Sequence, residues 1–74
     1  MSDNTPEEAL VNCAEAMLEL DKAQYDLDTA KKWCTNNAAP AEVWMILATA
    51  QMRILNGRRM TKRRSRQARQ QIEE

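Results

Sequence analysis

The chain contains no histidine and no phenylalanine, and among its 74 residues there are only one glycine, two prolines, one tyrosine and two tryptophans. Each shortage removes a class of chemistry or fold. Without histidine, general acid–base catalysis loses its usual residue and a metal site loses its commonest nitrogen ligand. One glycine cannot build the glycine-rich loop that cradles a nucleotide phosphate. One glycine and two prolines also supply too little turn chemistry for an all-β domain. No serine or cysteine has a plausible base beside it, so a nucleophilic enzyme is not expected. Asp21, Asp26 and Asp28 lack the alternating pattern and the glycine of a calcium loop. We expect no enzyme, no metal and no cofactor.

Cysteine is scarce as well: Cys13 and Cys34 are the only two. On one helix their Cα atoms lie roughly 31 Å apart at 1.5 Å rise per residue. No disulfide closes that distance within a chain, so both read as small buried hydrophobes, with an inter-chain bridge in an antiparallel dimer as the alternative. Long apolar runs are absent too. The longest, Val43–Ala50 extended by Met52, Ile54 and Leu55, includes Arg53 and is too short to span a bilayer. Residues Met1–Thr5 are polar and lack the basic and apolar regions of a signal peptide. The expected location is the cytoplasm, that of the host cell if the chain is viral, and a membrane partner is not expected.

What the chain has in quantity is helix former: Ala, Leu, Met, Glu, Gln, Arg and Lys dominate. Thr5-Pro6-Glu7-Glu8 is a helix start, with a cap, a proline at the first helical position and an acid placed for a capping box. No breaker follows until Thr35-Asn36-Asn37, which predicts a first helix over about 6–35. One of its stripes runs Leu10, Cys13, Met17, Leu20, Gln24, Leu27 and Cys34, a seam of the coiled-coil kind interrupted by Gln24 and by Lys31. A second runs Val11, Ala14, Leu18 and Tyr25, which suggests a second neighbour. The remaining face carries Glu8, Glu15, Glu19 and Asp26. After a short link, Pro40 opens a second helix over about 40–56. Val43, Leu47, Ala50 and Ile54 form one of its stripes, and Trp44, Ala48 and Leu55 another. A helix apolar on most sides is normally buried on most sides, which predicts a homo-oligomer centred on it. Asn56-Gly57 is a stop signal or a weak joint. Beyond it the apolar period fails, so residues 58–74 are expected to form a basic helix or tail that builds no core.

Charge is divided unevenly. Residues 1–52 carry three Lys and nine Asp/Glu, a net of −6, and residues 53–74 carry eight Lys/Arg and two Glu, a net of +6, so the formal net charge of zero hides a dipole. Such asymmetry points to an anionic partner for one end. On a helix, Arg58, Arg59, Lys62, Arg63, Arg66 and Arg69 fall within an arc of roughly 140°, and Arg64 stands off it. Guanidinium suits bidentate phosphate contact, and with no aromatic in the segment, bases would not be read by stacking.

The fold class is therefore all-α: an antiparallel helical hairpin (residues 1–57) with a basic C-terminal helical extension (58–74), assembling into a helical bundle. The leading functional expectation is a small oligomeric regulator binding nucleic acid or another polyphosphate through those six basic residues. The alternative is a phage-type inhibitor of a host enzyme or defence complex, or an assembly factor, acting through Val11, Leu18, Tyr25, Trp44, Ala48 and Leu55, with a small phosphorylated ligand collected between subunits as a variant. An acidic or apolar protein partner belongs to this alternative. Pairing of the basic tail with the acidic face of the first helix is a third possibility, and net zero charge permits it.

Overall fold

The computed structural model describes residues 5–73. Met1–Asn4 and Glu74, which entered the targeting and charge readings, lie outside the described residues. Two long helices make up the fold: α1, Pro6–Asn36, and α2, Ala41–Glu73. They pack antiparallel along their length as an all-α hairpin, a rod with extents of 54 × 24 × 15 Å. No helix among the described residues is long and apolar enough to cross a membrane.

Local chemistry sets the start of α1 as expected. Thr5 Oγ1 accepts from the Glu8 N–H at 3.1 Å, and the Thr5 N–H donates to Glu8 Oε1 at 3.2 Å, completing a capping box. Its end is made by the chain reversal. The Asn37 N–H donates to the Trp33 carbonyl at 3.0 Å, and the Ala39 N–H to the Cys34 carbonyl at 3.0 Å. Between them Ala38 takes φ of 49°, the left-handed conformation that closes many helix ends. An alanine there carries a Cβ penalty that glycine would not. The Pro40 carbonyl then accepts from the Val43 N–H at 3.0 Å, and α2 begins.

The hairpin seam on α1 is the predicted first stripe. Cys13, Leu27 and Cys34 are buried, and Leu10, Met17, Leu20, Gln24 and Lys31 are half-buried. Beside them runs a series that the sequence reading passed over, Ala9, Ala16, Ala23 and Ala30, spaced by seven and likewise turned inward. Small residues at one position of each heptad let the two helix backbones approach closely. On α2 the predicted stripe Val43, Leu47, Ala50 and Ile54 faces α1, with Ile54 buried.

Two features stand out in the second half of α2. The helix runs past residue 56 and through Asn56-Gly57, the second of the two outcomes that the sequence left open, and residues 58–73, expected to build no core, contribute Ala68 to it. The seam continues as Gly57, Thr61, Ser65 and Ala68, of which Ala68 is only 3% exposed. The spacing is still three and four, but the side chains are small, so a search for large apolar residues misses it. Gly57 serves packing rather than termination. A Cβ built on it would lie 3.1 Å from Leu20 Cδ2, so the missing side chain is the space that Leu20 fills. The polar breaks in the stripe also find one another. Gln24 Nε2 donates to Gln51 Oε1 at 3.0 Å, Gln51 Nε2 donates to Gln24 Oε1 at 2.8 Å, and Lys31 Nζ donates to Gln51 Oε1 at 3.1 Å. Gln24 and Lys31 on α1 are thus matched by one residue of α2, which removes most of the cost of placing them beside a seam.

The basic half of α2 and its groove

Docking of α2 on α1 turns the predicted basic arc into a preformed surface. The six residues fall into three environments. Arg58, at the inner edge, donates from Nη2 to Asp21 Oδ1 at 2.8 Å, and its side chain is 26% exposed. Lys62, Arg66 and Arg69 line a groove of about 450 Å³ whose opposite wall is Leu10, Cys13, Ala14 and Met17 of α1. Arg59 and Arg63 are exposed on the outer side of α2. Arg64 stands apart from the arc as expected and borders shallow hollows on the other side of the hairpin, one with Ala9, Gln67, Ala68 and Gln71.

Intramolecular pairing does not neutralise this surface. Among the described residues the ion pairs are Arg58–Asp21 and Lys22–Glu19, and only the first joins the basic run to α1. The reason is register. On a regular helix Glu15, Glu19 and Asp26 share an arc of about 40° that lies about 120–160° round α1 from Asp21, whereas α2 presents Arg58, Lys62, Arg66 and Arg69 on the side of Asp21. Only Asp21 lies at the groove edge level with a basic residue of α2.

The residues proposed for a partner interface form two groups. Val11, Leu18 and Tyr25 are 58%, 60% and 74% exposed on α1, and Leu18 and Tyr25 share a shallow apolar depression with Asp21, Lys22 and Asp26. Trp44 and Leu55 are 38% and 40% exposed on α2, with exposed Ala48 between them. On a regular helix Trp44, Ala48 and Leu55 share one arc of about 40°, the arc that Lys62, Arg66 and Arg69 continue toward the C-terminus. One face of α2 is thus apolar in its first half and cationic in its second. The periodicity of three and four holds throughout, but the reading by hydrophobicity alone stops at Leu55. Cys13 and Cys34 are free thiols, both buried. No group of three or more His, Cys, Asp and Glu side chains is placed to hold a metal among the described residues. Comparison with protein-family models, with curated proteins and with solved structures gives no match.

Proposed function

We propose that the protein is a small non-enzymatic regulator that binds nucleic acid or another polyphosphate through the outward and groove-side basic face of α2. One observation carries this reading: Arg59, Lys62, Arg63, Arg66 and Arg69 stand together on a docked helix, and among the described residues none of them meets a carboxylate. Residues 58–69 span about 17 Å of helix. That length lies alongside about ten phosphates of a duplex, roughly half of them on the near side. A rod 24 × 15 Å across is wider than the major groove, about 12 Å, so its contacts fall on the backbone and not on base edges. Binding is then indifferent to sequence and steeply dependent on salt.

A salt titration with generic duplex DNA and RNA tests this. The expected log–log slope is about −4 to −5, shrinking by roughly one for each of Arg59, Arg63 or Arg66 replaced by glutamine. Absence of binding at low salt overturns the proposal.

A second reading, a phage-type inhibitor or assembly factor, is favoured by the exposure of Val11, Leu18 and Tyr25. It predicts that Val11→Asp or Trp44→Ala abolishes retention of a protein partner while glutamine substitutions in the basic run leave it intact.

A further inference from the structure

The side of the hairpin that carries the inter-helix polar contacts has an unusual layout near the turn. On α2, Trp44, Ala48, Gln51 and Leu55 fall within an arc of about 60° on a regular helix. On α1, Asp21, Gln24, Asp28 and Lys31 fall within about 80°. The two arcs lie on one side of the molecule, since Arg58 bridges to Asp21 and Gln51 meets both Gln24 and Lys31 there. The α2 half of this face is uncharged, with Trp44, Ala48 and Leu55 beside the neutral Gln51, and the α1 half holds two acids, Asp21 and Asp28, with Lys31 at the end nearer the turn.

Both halves are complementary to themselves when reversed. If a second copy is laid antiparallel on this face, with a two-fold axis passing between Ala48 and Gln51, Trp44 meets the partner's Leu55 and the small Ala48 meets the partner's Gln51. At the level of that axis on α1 lie Leu27 and Asp28. There Lys31 of one copy falls between Asp21 and Asp28 of the other, the reverse pairing occurs by symmetry, and the two Asp28 carboxylates, which come together at the axis, are flanked by the two Lys31 ammonium groups. The basic halves of α2 project beyond the contact at both ends, so their charges do not face one another.

The surface area agrees. The chain exposes 6067 Å², whereas a compact protein of 8.5 kDa exposes about 4,700 Å². The excess of about 1,400 Å² per chain is enough to supply a stable interface, which needs about 1,200–2,000 Å² in total. We infer that this face is the seat of a second copy of the chain, in a two-fold antiparallel four-helix dimer with Trp44 and Leu55 at its apolar strip and Lys31 of each copy between Asp21 and Asp28 of the other. The inference does not rest on phosphate binding, which uses the other half of α2.

The test is the mass in solution by light scattering, with helicity by circular dichroism as a control for folding. Wild type is expected to have the mass of two chains, and Leu55→Asp that of one. The paired Val11→Asp and Leu18→Asp changes, about 100–120° round α1 from the centre of that arc, should leave the dimer intact. Lys31→Glu, and separately Asp21→Lys with Asp28→Lys, should each weaken self-association roughly tenfold, because attraction becomes repulsion at symmetry-related sites. An equimolar mixture of the two charge variants should restore the dimer, because every reversed contact is again attractive in the mixed pair. A wild-type monomer, a mixture no tighter than its components, or a dimer that survives Leu55→Asp but is lost with Val11→Asp and Leu18→Asp would each overturn the inference. Glutamine substitutions at Arg59 and Arg63 leave the mass unchanged, so failure of this interface and failure of phosphate binding are read separately.

Discussion

Substitution of Gly57 tests whether the basic half of α2 is a docked part of the hairpin. In a solvent-exposed helix, replacing an interior glycine by alanine or leucine stabilises by about 0.7–1 kcal/mol, because both residues lose less backbone freedom on folding. In the structure the position is a gap filled by Leu20, with 3.1 Å between its Cδ2 and the site of a new Cβ. Alanine requires a shift of a few tenths of an ångström at the end of a flexible side chain, so its propensity gain is largely offset. Gly57→Ala should change stability by no more than about 0.5 kcal/mol. Leucine adds three further carbons at a position where the Cβ alone already meets Leu20 Cδ2 at 3.1 Å. Overpacking of that kind costs about 1–3 kcal/mol, so Gly57→Leu should lose about 1–2 kcal/mol after the propensity gain. That is a large share of the stability of so small a chain, and it lowers the melting temperature by about 4–8 °C per kcal/mol. Urea unfolding followed by helical circular dichroism, at one fixed protein concentration, measures both. A Gly57→Leu protein as stable as wild type, or more stable, refutes the packing argument and with it the docking of residues 58–73.

The remaining predictions concern the polar bridge and the turn. Gln51→Ala leaves the Gln24 amide and the Lys31 ammonium without their shared partner and should cost about 1–2 kcal/mol, whereas Gln24→Leu combined with Gln51→Leu should cost less, because the only seam group then left without its partner is the half-buried Lys31 ammonium, which can turn to water. A urea titration of the single and double variants separates the two cases. Ala38→Gly should stabilise by up to about 1 kcal/mol, since it relieves a Cβ held at φ of 49° and pays only the added freedom of the unfolded chain, and thermal unfolding measures it.

Much of this architecture is legible in the chain itself. The start of α1 is written in Thr5, Pro6 and Glu8, whose interactions are local and independent of the rest of the molecule. The stripes from Leu10 to Cys34 and from Val43 to Ile54 are legible because large apolar residues at spacings of three and four have one good place to go. The charge division and the arc of Arg58, Arg59, Lys62, Arg63, Arg66 and Arg69 follow from composition and from 3.6 residues per turn.

Other features depended on which atoms meet. Gly57 resembles a helix stop in sequence, and only Leu20 opposite it makes it a packing site. Ala68 and the alanine series from Ala9 to Ala30 have little hydrophobic signal, yet their smallness lets the helices approach closely where the apolar pattern had run out. Gln24, Lys31 and Gln51 look like three separate defects until they share one hydrogen-bonded cluster. The sequence alone could determine elements whose causes lie within a turn or two of helix. The tertiary structure decided what depends on shape across the seam, including which of the eight basic residues between Arg53 and Arg69 has a carboxylate beside it and which stand open to an anionic partner.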